Sequence, residues 1–85
     1  MKELETSFIG RAEVRGFKFT QVSKSDRGYL YRVDTSETSH HYEVFERREN
    51  SQYDCVTYPS SKAFGRYAWT YRDYIRAMER FESLG

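Results

Sequence analysis

Apolar and polar residues alternate along most of this chain, and the alternation changes phase at identifiable places. In residues 10–22, Ala12, Val14 and Gly16 share one parity against Arg11, Glu13 and Arg15; beyond Gly16 the apolar parity passes to Phe17 and Phe19. A one-residue slip exchanges the two faces of a strand, and a glycine can absorb it as a bulge or bend. The pattern predicts one long, bent strand over 10–22. SKSDRG (23–28) carries Asp26 and Gly28 as turn formers. GYLYRVD (28–34) sets Tyr29, Tyr31 and Val33 against Leu30, Arg32 and Asp34, the signature of a strand. DTSETSHH (34–41) has no apolar side chain and predicts a loop. HYEVFERR (41–48) puts Tyr42 and Val44 on one face and Glu43, Phe45 and Arg47 on the other. ENSQ (49–52) turns the chain, and YDCVTY (53–58) predicts a fourth strand, stopped by Pro59, which lacks a ladder donor. Short turns between successive strands favour an antiparallel meander.

The period changes after residue 69. SSKAFGRYAW (60–69) fits either an ordered connection or a short fifth strand. Thr70 then suits an N-cap, with Asp73 three residues on as its capping-box partner. Tyr74, Ala77, Met78, Phe81 and Leu84 recur at helical spacing, and Gly85 suits a helix end. The expected fold is α+β: one small domain over residues 1–85, an antiparallel sheet of about four strands, and one C-terminal helix packed on one face. Phe64, Tyr67 and Trp69 are expected to pin that helix, and Phe17 and Phe19 to lie beneath it.

Composition says what must fill the core. Aromatic residues make up 18% of 85 residues, with Tyr 8, Phe 6 and Trp 1, while Leu, Ile and Val are sparse. A chain of this size buries only about 60% of the surface it exposes when unfolded, so large rings have to supply much of the interior. Lys+Arg 14 against Asp+Glu 13 leaves a net charge of +1, which argues against a dedicated nucleic-acid binder. Ten of the 14 basic residues are Arg, a bias that favours planar pairing with carboxylate or phosphate on a partner. The chain shows no leader-like apolar segment, no long apolar run and no lipidation motif, which places the expectation in the cytoplasm.

No residue pattern specifies a reaction. His40 and His41 are adjacent and so point to opposite faces of an extended chain, and Cys55 has no CxxC companion, so no metal site is expected. The histidines are read as solvated loop-end residues and Cys55 as a small core hydrophobe. Asp34, Glu37, Glu43, Glu46 and Asp54 show no spacing that singles out a catalytic pair, and no glycine-rich phosphate loop occurs. A non-enzymatic protein without cofactor is the expectation. Arg72, Arg76 and Arg80 form an i, i+4, i+8 ridge on the predicted helix, flanked by Asp73, Glu79 and Glu82. A solvated helix face accounts for the ridge, and an acidic partner or nucleic acid would also suit it.

RGFKFTQV (15–22) resembles the RNP1 pattern of RNA-recognition and cold-shock domains through Arg15, Gly16, Phe17 and Phe19. Lys18 stands where that pattern has Gly or Ala, and Thr20 where it has Val. The resemblance implies base stacking on strand aromatics, with Arg15 and Lys18 near the phosphates. A second stretch, YPSSKAFGRYAWTYRDYIRAMERF, resembles the C-terminal part of small uncharacterised bacterial or phage-borne proteins, and implies no activity. The resulting expectation is a protein-interaction module that uses the helix-free sheet face or the arginine ridge, since Tyr and Arg are enriched at interfaces. The alternative is single-stranded nucleic-acid binding. Candidate contact residues are Arg15, Lys18, Tyr29, Tyr31, Arg72, Arg76 and Arg80.

Overall fold

The computed structural model describes residues 1–11 and 14–85. Among the described residues, seven strands and one α-helix follow in chain order: β1 (Ser7–Ile9), β2 (Lys18–Lys24), β3 (Gly28–Asp34), β4 (His40–Glu46), β5 (Glu49–Asn50), β6 (Cys55–Val56), β7 (Ala68–Tyr71) and α1 (Tyr74–Ser83). A 3₁₀ turn, Ser61–Ala63, precedes β7. The fold is α+β. Five strands form an antiparallel sheet in the order β1-β2-β3-β4-β7, and α1 packs against it. No helix of the described residues is long and apolar enough to cross a membrane.

Three elements differ from the sequence expectation. Of the strand predicted over 10–22, the described strand residues are 18–22, the start of β2: β1 ends at Ile9, before that range, and the chain reverses so that Phe8 pairs with Phe19. Gly16 stands at φ +86° in this reversal, so the phase slip marks a turn rather than a bend. The alternation at Ala12 and Glu13 lies outside the described residues. The strand predicted over 53–58 shrinks to Cys55–Val56 and pairs with β5 in a separate two-stranded ribbon. Its place beside β4 is taken by β7, so the short strand near residue 69 is the fifth strand of the main sheet. Thr70 belongs to β7 rather than to a cap. Asp73 caps the helix, its Oδ1 accepting from the Ile75 N–H at 2.9 Å.

The sheet has an apolar layer on each face. Leu30, Tyr42 and Val44 meet Ala77, Met78 and Phe81 of α1 and Leu84 at its C-terminal cap, as the helical stripe predicts, while Tyr74 stays 42% exposed and only touches Tyr42 edge-on. Ten helical residues span about 15 Å, and a seven-residue strand about 23 Å, so α1 covers only one end of this face. Arg32 and Asp34 lie beyond it and pair at 3.1 Å near solvent. On the opposite face, Phe19, Tyr29, Tyr31, Val33, Phe45 and Ala68 pack with Val56 and Ala63, with Leu4, Phe8, Phe17 and Tyr58 against them. Phe17 and Phe19 therefore lie away from the helix. So do Phe64 and Tyr67, whereas Trp69 faces the helix side and meets Arg80 of α1. The cause is parity: Phe19 pairs with Val33, and Val33 shares a face with Tyr29 and Tyr31 rather than with Leu30.

The cover on this second face comes from residues 47–67, which leave β4, form the β5–β6 ribbon and return to β7. The N-terminal segment straps the ribbon to the sheet. Lys2 donates its N–H to Asp54 and accepts from Val56, and Glu3 accepts from the Tyr29 hydroxyl (2.5 Å) and from Arg47 Nη1 (2.6 Å). These contacts hold the Glu3 carboxyl down at about 2, Arg47 being the largest cause. Burial, with Glu3 adding to it, pushes the Tyr29 hydroxyl up to about 12. Gly28 opens β3 because a Cβ there would collide with the Phe45 carbonyl and the Leu84 side chain.

Candidate functional site

Residues 47–67 do not reach across the whole sheet face. Between Pro59–Phe64 on one side and Phe8–Arg11 with Val14 on the other, an open groove of about 1320 Å³ remains. Its floor combines Phe8 and Phe19 with the polar ends of His41, Glu43, Tyr58 and Thr70. Strand parity builds this floor. Phe19 on β2, His41 and Glu43 on β4, and Thr70 on β7 all project to the face opposite α1.

Tyr58 is the centrepiece. Its ring meets Phe8 (5.7 Å), Phe19 (5.2 Å) and Tyr31 (5.3 Å) edge-on and leans on Phe45 at 4.6 Å. Such tilted and edge-to-face contacts add to the burial of area alone. Its hydroxyl donates to Glu43 Oε1 at 2.6 Å, while Glu43 Oε2 lies 2.8 Å from His41 Nε2. Burial, reinforced by Glu43, pushes the Tyr58 hydroxyl far above the ordinary phenol range, so it stays a donor. Both Glu43 oxygens are thus occupied within the chain, at 14% side-chain exposure. His41 is a half-buried strand residue rather than a solvated loop end; only His40 is exposed, edge-on to Tyr42 on the helix side. No group of three or more His, Cys, Asp or Glu converges among the described residues.

The sequence-predicted contact residues separate into three groups. Tyr29 and Tyr31 are fully buried, and Phe19 is 4% exposed, so none of these rings offers a face for stacking. They were legible as strand aromatics, but not as the middle layer of a covered face. The ridge is shorter than predicted, because Arg72 precedes the helix. Arg80 is already engaged: its guanidinium lies 4.5 Å above the Trp69 ring, and Nε donates to the Tyr71 hydroxyl at 3.0 Å. Arg72 and Arg76 are exposed. Arg15 and Lys18 are exposed as well, near the β1–β2 reversal; Arg11 forms part of the groove wall, whereas Lys18, of opposite parity to Phe19, projects to the α1 side of the sheet.

Comparison with protein-family models, with curated proteins and with solved structures finds no match. The groove therefore rests on its own geometry. Sequence reasoning missed it because its walls, Phe8–Arg11 with Val14 against Pro59–Phe64, lie 45 or more residues apart along the chain. The His41-x-Glu43 spacing was the available local signal, since residues two apart on a strand share a face.

Proposed function

We propose that this chain is a non-enzymatic module that binds another protein through the groove beside Tyr58. The observation that carries the reading is the groove itself. At about 1320 Å³ it exceeds the ~300–1,000 Å³ of small-molecule sites. It is also floored by aromatic side chains, which anchor protein interfaces. The internal pairing of Glu43 with Tyr58 and His41 supports a structural use of these groups. Val14, 38% exposed, extends apolar surface along one wall, and Ile9, 59% exposed, adds apolar surface on the other side of β1. The helix-free sheet face enters this reading only through the groove, since residues 47–67 cover the rest.

The test compares affinity purifications from the cells that make the protein. Ser61→Trp, on the exposed wall, would fill the groove without touching the core, and Glu82→Trp on α1 serves as a remote control. One or a few proteins should co-purify with wild type and Glu82→Trp, survive nuclease treatment, and drop out with Ser61→Trp. Recovery that disappears on nuclease treatment would favour single-stranded nucleic acid instead. Identical partners for both variants would remove the groove from the account.

A further inference from the structure

The groove runs beside a sheet edge, β1, that has no neighbouring strand among the described residues. Thr6 accepts from the Gln21 N–H at 2.7 Å, Gly10 donates to the Phe17 carbonyl at 2.7 Å, and Phe8 stands opposite Phe19. In an antiparallel ladder, residues whose main chain faces the partner strand alternate with residues whose main chain faces away. Thr6, Phe8 and Gly10 are bonded to β2, so the N–H and C=O groups of Ser7 and Ile9 point outward. No described strand pairs on that side. An edge of this kind accepts an added strand, about 4.8 Å away and in register with the pleat.

The pleat also fixes where the added side chains go. One set falls beside Phe8, into the groove and toward Pro59 and Phe64; the other falls beside exposed Ile9. Both strips are apolar. The charges around them are mainly positive. Arg11, Arg15 and Lys18 follow β1, and Lys62 and Arg66 flank Phe64 on the opposite wall; all are exposed. Among the described residues, side-chain ion pairs engage Lys24, Arg32, His41, Arg47 and Arg48 instead. On the other side of the balance, Glu5 lines the groove, Asp34 stands opposite Lys18 on β3 but pairs with Arg32, and Glu43 is occupied by Tyr58 and His41.

We infer that the groove's occupant is an extended, acidic segment of the partner protein, which adds as a strand to the outer edge of β1. This rests on the protein-binding reading above and specifies it. Main-chain bonds to Ser7 and Ile9 supply affinity, apolar residues of alternate parity fill the groove and cover Ile9, and interspersed carboxylates meet Arg11, Arg15 and Lys18.

A display library of randomised linear peptides, selected on the folded protein, tests this. Selected sequences should alternate Val, Ile or Phe with Asp or Glu. Ser7→Pro removes one outward donor while sparing the β1–β2 ladder, as edge positions permit. It should weaken the selected peptides by about tenfold or more, whereas Ser7→Ala leaves them unchanged. Lys18→Glu should cost roughly threefold to tenfold, less at high salt. If Ser7→Pro disturbs folding, backbone N-methylation of the peptide gives the same information: methylation at one parity should abolish binding, and at the other leave it intact. An empty selection, basic sequences, or peptides indifferent to Ser7→Pro and to methylation parity would overturn the inference. Should that happen while Ser61→Trp still releases a protein from the purification, the groove keeps its protein partner and only the strand-addition mode falls.

Discussion

Tyr58 should be the side chain that fastens residues 47–67 to the sheet, and paired substitutions can separate its ring from its hydroxyl. Tyr58→Phe removes the donor to Glu43 (2.6 Å) but keeps the contacts to Phe8, Phe19, Tyr31 and Phe45. A hydrogen bond to a charged group contributes about 1.5–3 kcal/mol, and the half-buried carboxylate left behind retains His41 as a partner, which favours the lower half of that range. Tyr58→Ala loses the ring as well, and truncating a packed aromatic costs about 3–5 kcal/mol before the hydroxyl is counted. A chain of this length has on the order of 4–13 kcal/mol of total stability. Tyr58→Phe should therefore fold, with a Tm lower by roughly 6–20 °C, and Tyr58→Ala should be marginal or unfolded. Urea unfolding followed by Trp69 fluorescence is the assay. Trp69 lies on the helix side, so its signal reports loss of the whole fold rather than release of the cover. Glu43→Gln, alone and combined with Tyr58→Phe, closes a double-mutant cycle that should show coupling above 0.5 kcal/mol or so. A Tyr58→Phe midpoint within about 0.3 kcal/mol of wild type, with no coupling, would refute the reasoning.

The two core layers should respond unequally: Phe45→Ala, at a fully buried ring, should lose about 3–5 kcal/mol, and half-buried Phe81→Ala clearly less, both read by urea midpoints. Asp73→Ala removes the helix cap and should cost about 1 kcal/mol by the same assay, whereas Thr70→Ala should leave helix content unchanged in circular dichroism. Glu3 is depressed to about 2 in the fold from an ordinary value of 4.5, so its contribution is fully present above 4.5 and is lost as pH falls through 2. Wild type should accordingly lose stability between those pH values more steeply than Glu3→Gln; parallel pH–stability curves would contradict this. Cys55 is half-buried in the ribbon strand β6, so native-state thiol labelling should be slower than in urea, and faster in Glu3→Gln if the N-terminal strap guards the ribbon.

What sequence revealed and what it concealed divide along physical lines. The strand 28–34 and the stripe from Tyr74 to Leu84 were readable because each carries an uninterrupted period, and the packed helix follows that stripe. The break at Gly16 was readable as an event but not as its kind, since a bulge and a reversal produce the same phase slip. YDCVTY alternates as a sheet strand would, yet it forms the ribbon and the cover, because pairing partners are chosen by distant contacts such as Lys2 with Val56. Which face Phe19 occupies depended on the β2–β3 register, a long-range property. The groove was least legible of all: its floor comes from four strands of the sheet, and one wall from a connection whose course local pattern does not encode. Arg80 looked like part of a solvated ridge until Trp69, 11 residues earlier, was placed beneath it.

The most direct measurement is in-cell photo-cross-linking with a photoreactive residue at Ser61, on the groove wall, and separately at Glu82, on α1. The account predicts a discrete protein adduct from Ser61 whose cross-linked peptide is extended and acidic, with little or none from Glu82. Absence of a Ser61 adduct, cross-linking to nucleic acid, or equal adducts from both positions would contradict it.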